Sequence, residues 1–412
     1  MEKGIRKNIL VAQSGGPTAA INATVAGVVS VALASEKVDK IYGAKNGIQG
    51  VLDETFIDLR EKINNIHDLE LLSQTPAAAL GSCRLKLKDL KKDKTEFEQI
   101  VKNLKKYDIN CFIYIGGNDS MDTVDKLSQY CAEHQINDLT VVGAPKTVDN
   151  DLMGTDHCPG FGSAAKYIGV TFSELERDCN VYKTKAVTIV EVMGRNAGWL
   201  TAASSLARLN GMKGPDFIYL CEPAFSIEQF VRDVEGRLAK QDAVLIAISE
   251  GIKNEHGQYI SEQVQSGAVD AFGHTYIAGS AKVLEDIVRE RIGCKVRSIE
   301  LNLMQRCAGH IASASDVAES RMLGMKACQC ALEGQSGVMA AIIRISDNPY
   351  TVEYAAVPVS EVSNAEKKVP DDFINSEKND VTDKMTAYLK PLIQGEIQQE
   401  FENGIPKQLV LY

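Results

Sequence analysis

The segment GAPKTVDNDLMGTD, residues 143–156, combines one lysine with three closely spaced carboxylates. The lysine is Lys146, and the carboxylates belong to Asp149, Asp151 and Asp156. In extended backbone, Asp149 and Asp151 would point to the same side because side chains alternate. One carboxylate could then accept a proton from an alcohol while the other helps to hold a hard cation such as Mg²⁺. A solvated surface loop is the alternative reading of the same residues.

Two glycine-containing turns have the form of phosphate-binding turns. In QSGGPTAAIN, Gly15 and Gly16 precede a helix that we expect to begin near Pro17. Glycine lets backbone N–H groups approach a ligand, and a helix N-terminus favours an anion. In GGNDSMD, Asn118 and Asp119 stand at an expected helix start, where one such residue is enough to cap the helix. A tight turn without a ligand is the alternative for each.

Three later segments carry residues that suit an anionic sugar. MGRNAG contains Arg195, which could bind an anion through two parallel hydrogen bonds. SEG contains Glu250, which could accept a hydrogen bond from a sugar hydroxyl, and KVRSIELNLMQR contains Arg297 and Arg306. Each arginine alone would be read as a surface residue. Together they would supply positive charge locally in a chain whose net charge is -10.

Strand-like apolar runs alternate with helical patterns along most of the chain. The predicted strands are 8–12, 109–117, 139–146, 185–194, 215–220, 243–251, 295–301 and 337–346. After the first strand comes a helix of small residues, and the other predicted helices are 120–134, 196–209, 226–240, 279–292 and 314–334. This alternation predicts an α/β fold of two doubly wound, Rossmann-like lobes with mostly parallel sheets. Ligands of such folds bind at the carboxyl ends of the strands, where the residues above would meet.

The overall composition excludes several classes of protein. The chain has 412 residues, is 44% hydrophobic and carries a net charge of -10, which argues against broad binding to nucleic acid or to an acidic membrane. Its 10 cysteines form no CxxC pair, which favours a reducing compartment over a disulfide framework. The N-terminal apolar run is too short for a signal peptide, and no run approaches a membrane span. We therefore expect a cytoplasmic protein without nucleic-acid or membrane partners.

The motifs together resemble the 6-phosphofructokinase family. The matching pieces are SGGPTAAINA, GSCR, GGNDS, PKTVDNDLMGTD, GFGSAA, EVMGRNAG, SEG and VRSIELNLMQR, which occur in the family's order over roughly residues 8–330. The resemblance implies Mg²⁺-dependent phosphoryl transfer to the 1-hydroxyl of fructose 6-phosphate, in the cleft between the lobes. It also implies a homodimer or homotetramer, because relatives complete the sugar-phosphate site across subunits.

The resemblance assigns roles residue by residue. It implies that Asp149 is the general base, with Thr147, Asp119 and Lys146 also in the catalytic set. The diphosphate-binding residues that it implies are Gly15, Gly16, Arg84, Asp119 and Lys146. Those for the sugar phosphate are Thr147, Val148, Asp149, Met193, Gly194, Arg195, Glu250, Arg297, Leu303 and Arg306. For the metal they are Asn118 and Asp151.

The family divides by phosphoryl donor. ATP-using members resemble GGDGS and PGTIDND, whereas this chain has GGNDS and PKTVDND, so Asp119 and Lys146 indicate diphosphate as the donor. Asp119 would project where the α-phosphate of a nucleotide lies. Two like charges about 4 Å apart repel by about 4 kcal/mol at an effective dielectric constant near 20, roughly a thousandfold in affinity. The reaction with diphosphate would be reversible and would give fructose 1,6-bisphosphate and phosphate.

Three positions depart from the family pattern. Asn118 stands where many members have a metal-binding aspartate, and Leu303 stands where relatives have histidine or tyrosine. Lys183 or Lys185 stands near an arginine of relatives that reaches into a neighbouring subunit. An ATP-dependent phosphofructokinase is the main alternative, and a non-catalytic sugar-phosphate sensor is a remote one. The absence of GxGxxG with a following acidic residue disfavours a dinucleotide-binding oxidoreductase.

We expect residues 1–160, completed by part of 305–350, to form the donor-binding lobe. Residues 161–304 would form the fructose 6-phosphate lobe, and the polar residues 350–412 would form a peripheral C-terminal segment.

Overall fold

The computed structural model describes residues 6–263, 279–363 and 365–412. The strands in these residues are β1 (Lys7–Gln13), β2 (Val38–Ala44), β3 (Phe56–Asp58), β4 (Ile109–Gly116), β5 (Thr140–Pro145), β6 (Ala186–Val192), β7 (Phe217–Tyr219), β8 (Ala243–Ser249), β9 (Lys295–Glu300), β10 (Val338–Asp347), β11 (Tyr350–Pro358), β12 (Phe401–Glu402) and β13 (Ile405–Pro406). The α-helices are α1 (Ile21–Ala34), α2 (Gly47–Leu52), α3 (Leu59–Lys62), α4 (Ile66–Gln74), α5 (Thr95–Lys106), α6 (Asn118–Glu133), α7 (Phe161–Cys179), α8 (Trp199–Ala202), α9 (Ile227–Leu238), α10 (Ser280–Arg291), α11 (Met304–Cys307), α12 (Ala314–Leu332) and α13 (Asp383–Leu389). Among these helices, none is both long and apolar enough to cross a membrane.

The larger sheet has seven strands in the order β11-β10-β5-β4-β1-β2-β3. The five inner strands run parallel, and β3 and β11 pair antiparallel at the two edges. Strand β1 shows why its residues form a central strand. Its Ile9 and Val11 enter the core on one face, while Leu10 and Ala12 enter the core on the other. A strand that is buried on both faces is apolar along its whole length.

The smaller sheet has four parallel strands in the order β7-β8-β6-β9. Strand β6 alternates in the same way, with Val187 and Ile189 on one face and Val190 and Val192 on the other. Strand β9 lies at the edge of this sheet, and its Arg297 is exposed. The two sheets make an α/β fold of two lobes with mostly parallel strands, which confirms the predicted fold class.

Two helices differ from their predictions. The helix predicted over 196–209 is α-helical only in α8 and continues as a 3-10 helix, Ala203–Gly211. Within that segment Ser204 donates to the Thr201 carbonyl, and such side-chain bonds compete with regular helical bonding. Helix α1 begins at Ile21 rather than near Pro17. The preceding backbone turns instead, because the Thr18 carbonyl accepts a hydrogen bond from the Ala77 amide (3.1 Å).

Residues 350–412 are polar in sequence, but they contribute to both lobes. Strand β11 extends the larger sheet, and Leu411 is buried against its core. Met385 and Leu389, both in α13, are buried in a core of the smaller lobe. The proposed boundaries near residues 160 and 304 stay predictions.

Candidate active site

A cleft of about 870 Å³ is lined by residues that follow strands of both sheets. Loops after β1, β4 and β5 line it from the larger sheet, and loops after β6, β8 and β9 line it from the smaller one. All predicted site residues line this cleft except Gly194 and Arg297. The two sheets therefore bring residues from distant parts of the chain to one place.

The turn after β5 carries the two central carboxylates, but its geometry differs from the extended backbone that we expected. Asn150, between them, has a left-handed φ of 54°, and the Asp149 amide donates to the Thr147 hydroxyl (3.1 Å). Asparagine is one of the few residues that adopt this conformation readily. Asp149 and Asp151 both face the cleft because the chain turns at Asn150.

Burial makes both carboxylates of this turn weaker acids than usual. It raises the pKa of Asp149 above its ordinary range, although Lys146 and the Thr147 hydroxyl act in the opposite direction. Burial, and next the charge of Asp149, raise the pKa of Asp151 to about 7. A carboxylate with a raised pKa is a better proton acceptor, so the turn is suited to general base catalysis.

Lys146 is buried beneath the first glycine turn. A Cβ atom placed on Gly15 would lie 3.0 Å from the Lys146 Nζ, and Gly15 has a φ of 75° that favours glycine. Burial lowers the pKa of Lys146 to about 8, although Asp149 and Asp151 favour its charged form. The Gly15 amide itself donates to the Cys83 carbonyl (3.1 Å), so what this turn presents is close backbone approach above a compact positive charge.

Arg306 lies against the second glycine of the same turn. A Cβ atom on Gly16 would lie 3.0 Å from the Arg306 Nη1. Burial, and next the charge of Arg84, lower the pKa of Arg306 from its ordinary value. Arg306 was predicted only for the sugar phosphate, but this position borders the donor turn too. Arg306 therefore lies between the first glycine turn and the loop after β9.

Asp119 forms an ion pair that the sequence analysis missed. It occupies the first turn of α6, whose N-cap is Gly117 and has no side-chain cap. Its carboxylate lies 3.1 Å from the Nζ of Lys86, and both side chains are partly exposed. The only signal in the sequence was a second basic residue shortly after Arg84. Because Lys86 offsets the charge of Asp119, the repulsion of about 4 kcal/mol expected for an isolated carboxylate is an upper bound.

Asn118 and Asp151 present oxygen atoms that suit a hard cation. The Asn118 amide nitrogen donates to the Asp151 carboxylate (2.9 Å), while the Asn118 Oδ1 is buried without a hydrogen-bond partner in the described residues. Buried carbonyl oxygens normally have a partner. Across all the residues that the structure describes, no group of three or more His, Cys, Asp or Glu side chains is arranged to hold a metal ion. Mg²⁺ fits this pair because it keeps several waters and takes few protein ligands.

The sugar-facing side is organised by hydrogen bonds to backbone amides. The Gly194 amide donates to the Glu250 carboxylate (3.3 Å), and the Met193 amide donates to the Gln305 side-chain oxygen (3.2 Å). Burial, and next the charge of Asp149, raise the pKa of Glu250 to about 7. Gly194 therefore stands behind the cleft and positions Glu250. Gln305 was not predicted, although it directly precedes Arg306.

Glu191 also lines the cleft and was not predicted. Its carboxylate accepts hydrogen bonds from the amides of Gly279 (3.0 Å) and Ala281 (2.8 Å) at the start of α10. Burial raises its pKa to about 7. These contacts give Glu191 a structural role, since it anchors the N-terminus of a helix.

Arg297 lies apart from the other predicted residues. It is exposed on the edge strand β9 and is not part of the cleft of its own chain. Lys183 and Lys185 are also exposed, in the segment that leads into the neighbouring strand β6. All three cations are exposed on the smaller lobe. Leu303 is 54% exposed and lines the mouth of the cleft.

Comparisons with known proteins identify the family of this chain. The family model described as Phosphofructokinase matches residues 8–331. A pyrophosphate–fructose 6-phosphate 1-phosphotransferase of Methylococcus capsulatus is 39% identical over 98% of this chain and 96% of its own length. A sulfofructose kinase of Alkalicoccus urumqiensis is 33% identical over 90% of this chain and 92% of its own.

A solved structure gives the same result. The crystal structure of a pyrophosphate-dependent phosphofructokinase from Nitrosospira multiformis is 36% identical, with a TM-score of 0.88, over 98% of this chain and 96% of that one. The fold and the cleft thus define a phosphotransferase scaffold. The chain belongs to the phosphofructokinase family.

Proposed function

We propose that this protein transfers a phosphoryl group from diphosphate to the 1-hydroxyl of fructose 6-phosphate, in a reversible, Mg²⁺-dependent reaction of glycolysis and gluconeogenesis. The observation that carries the proposal is the buried Lys146 ammonium beneath the Gly15 turn, in the same cleft as Asp149. The relative from Methylococcus capsulatus, whose name states this reaction, supports it over nearly the full length of both chains.

The donor would lie against the loops of the larger sheet. The backbone of Gly15 and Gly16 would lie against its phosphates, with Lys146 beneath Gly15 and Arg84 also lining the cleft. Asp119 would stand where a longer donor continues. Its carboxylate would occupy that space, and the Lys86 ammonium beside it would offset only the charge. The arrangement favours diphosphate over a nucleotide on steric as well as electrostatic grounds.

In the reaction, the sugar O1 attacks the terminal phosphorus of diphosphate, and the bond between that phosphorus and the bridging oxygen breaks. Asp149 accepts the proton of the 1-hydroxyl, for which its raised pKa suits it. Lys146 and Arg306 stabilise negative charge on the transferring group and on the leaving phosphate. Bound Mg²⁺, held by Asn118 and Asp151, would neutralise charge on the donor phosphates. The products are fructose 1,6-bisphosphate and phosphate.

The sugar phosphate would be bound from two sources. Arg195 and Glu250 of the same chain line the cleft. Arg297, exposed on β9, would reach the cleft of a second copy, with Lys183 or Lys185 beside it. This proposal requires a homodimer or a homotetramer. The 10 cysteines are all free thiols, which supports a cytoplasmic location.

A paired donor assay tests the proposal. With fructose 6-phosphate and Mg²⁺, we expect turnover with diphosphate and at most weak turnover with ATP. Equal turnover with ATP would assign the protein to the ATP-dependent class, and binding of fructose 6-phosphate without turnover would indicate a sensor. Because one relative is named for sulfofructose, the same assay should compare sulfofructose as acceptor. Preference for sulfofructose would overturn the proposed substrate but not the phosphoryl transfer.

A further inference from the structure

We infer that Lys367 is a positioning residue for phosphoryl transfer, which holds the turn that carries Asp149 and Asp151. Lys367 lies more than 200 residues after this turn, in the C-terminal segment outside the range that the family model matches. The inference rests on the proposed function for the roles of the two aspartates. The contacts that carry it come from the structure of this chain alone.

Lys367 contacts the turn through both its side chain and its backbone. Its ammonium donates to the carbonyl oxygens of Asp156 (2.7 Å) and Thr155 (3.2 Å), and it lies 3.5 Å from the Asn150 side-chain oxygen. Its own amide donates to the Asp151 carbonyl (2.7 Å). One residue thus fixes both ends of the segment 151–156. The ammonium is suited to this because it offers three donors and no acceptor.

Asn150 links Lys367 to the angle between the two aspartates. Its side chain is fully buried, its Oδ1 accepts a hydrogen bond from the Cys158 amide (3.0 Å), and its Nδ2 donates to the Tyr388 hydroxyl (2.9 Å). The Tyr388 hydroxyl in turn donates to the Asp156 carbonyl (2.8 Å). Because Asn150 lies between the aspartates with a left-handed φ, its backbone sets the direction of each carboxylate. Lys367 and Tyr388 together hold that backbone.

Lys367 and Tyr388 also contact Trp199, which belongs to the smaller lobe. The Lys367 carbonyl accepts a hydrogen bond from the Trp199 indole (2.9 Å), and its ammonium lies 5.5 Å from the centre of the Trp199 ring. The Tyr388 ring lies 5.2 Å from that ring. Trp199 begins α8, directly after the MGRNAG turn that contains Arg195. Lys367 therefore fixes the turn of the proposed base relative to the side that binds the sugar.

Loss of the ammonium should loosen the turn without removing a ligand contact. A methionine at position 367 has similar length but no donor, so the Thr155 and Asp156 carbonyls lose a donor each. Lys367 itself does not line the cleft among the described residues. Lys368, the next residue, is exposed and offers a matched control.

The test compares Lys367→Met, Lys367→Arg, Tyr388→Phe and Lys368→Met in the full chain. For Lys367→Met we expect kcat to fall about 10- to 100-fold, the effect of a displacement of about 1 Å in a catalytic group. KM for both substrates should change less than about threefold, because the residues that bind them remain. Lys367→Arg should restore most of kcat, since a guanidinium still donates, and Lys368→Met should match the wild type.

Amide hydrogen exchange gives a readout that needs no activity. In Lys367→Met, peptides covering 147–158 should exchange faster than in the wild type and in Lys368→Met. Unchanged exchange together with kcat within twofold of the wild type would overturn the inference. If Lys367→Met fails to fold, Tyr388→Phe, which removes one oxygen atom, decides in the same way. If Lys367→Met exchanges faster but the wild type shows no turnover, Lys367 still holds the turn, and the proposed function is rejected.

Discussion

The donor side and the sugar side of the cleft are built differently. On the donor side, Lys146 is buried beneath Gly15, and Asp119 is paired with Lys86, all within one chain. On the sugar side, Arg297 lies exposed on an edge strand, outside the cleft of its own chain. The loops after the strands of the larger sheet line the cleft, whereas in the smaller sheet Arg297 is exposed on the edge strand. In the proposed function, donor choice would be a property of a single chain, whereas sugar binding would depend on assembly.

The largest effect should come from removing the residue that both sides share. Asp149→Ala should lower kcat by roughly 10²- to 10⁴-fold, as expected for a lost general base, with little change in the affinity for fructose 6-phosphate. Asp149→Asn keeps the shape and should lose activity to a similar extent. Steady-state kinetics with binding measured by calorimetry checks this. Near-normal turnover of either variant would remove Asp149 from that role.

The next effect should come from changing the donor side alone. Asp119→Gly combined with Lys146→Gly should raise the ratio of ATP use to diphosphate use by about tenfold to a hundredfold, below the roughly thousandfold expected for an unpaired carboxylate. Competition between the two donors in one reaction measures the ratio.

Lys86→Met sharpens this prediction. Without Lys86, the Asp119 charge is no longer offset, so ATP use should fall a few-fold further relative to diphosphate. If the ratio of ATP use to diphosphate use stays the same in all of these variants, other residues select the donor.

Substitution of Arg297 should affect the binding of the sugar phosphate but not that of diphosphate. Arg297→Ala should raise KM for fructose 6-phosphate by about tenfold or more, the loss of a charge-assisted hydrogen bond, while KM for diphosphate stays unchanged. Hybrids of Asp149→Ala chains with Arg297→Ala chains test whether the arginine acts across subunits. Half of the sites in each hybrid dimer would be intact, so random mixing should recover about a quarter of the wild-type activity. No recovery would place Arg297 in its own chain's site, and an unchanged KM for fructose 6-phosphate in Arg297→Ala would place it outside the site.

The smallest expected effect is the dependence of kcat/KM for diphosphate on pH. Lys146, with a pKa of about 8, is charged below that pH and loses its charge as the pH rises. Asp151, with a pKa of about 7 when no metal is bound, loses its charge as the pH falls below that value, so protons compete with Mg²⁺ for this ligand. We expect kcat/KM for diphosphate to peak between these values and to fall up to tenfold per pH unit on either side. Lys146→Arg, which stays charged, should abolish the alkaline decline and leave the acidic one.

Much of the fold and of the candidate site was predictable because local patterns carry it. Apolar runs such as that of β1 mark strands that are buried on both faces. The turns after these strands had to meet at one edge, which is why Gly15, Asn118 and Asp149 were predicted together. The glycines of the first turn were recognised by their place between a strand and a helix, and the structure adds that a side chain at Gly15 would meet Lys146.

Other features depend on contacts between distant parts of the chain, which periodicity does not encode. No local pattern links Lys367 and Tyr388 to the Asp149 turn, because they lie in a polar segment far along the chain. The Lys86–Asp119 pair joins two separate loops. The sequence left Asp156 without a role, and the structure shows that it pairs with Arg344 and with His157. Sequence spacing gave no means of telling which aspartates face the cleft.

The Lys86–Asp119 ion pair also bears on how such a protein could change its phosphoryl donor over evolutionary time. In the proposed arrangement, Lys86 would lie beside the place of the next phosphate of a longer donor, because its ammonium is 3.1 Å from the Asp119 carboxylate. A mutation that removed the Asp119 carboxylate would leave this ammonium able to bind that phosphate, without a further mutation to create a cation there. A change of donor would then need fewer simultaneous mutations than if a new cation also had to arise. Proteins on the evolutionary path would keep the Lys86 ammonium throughout.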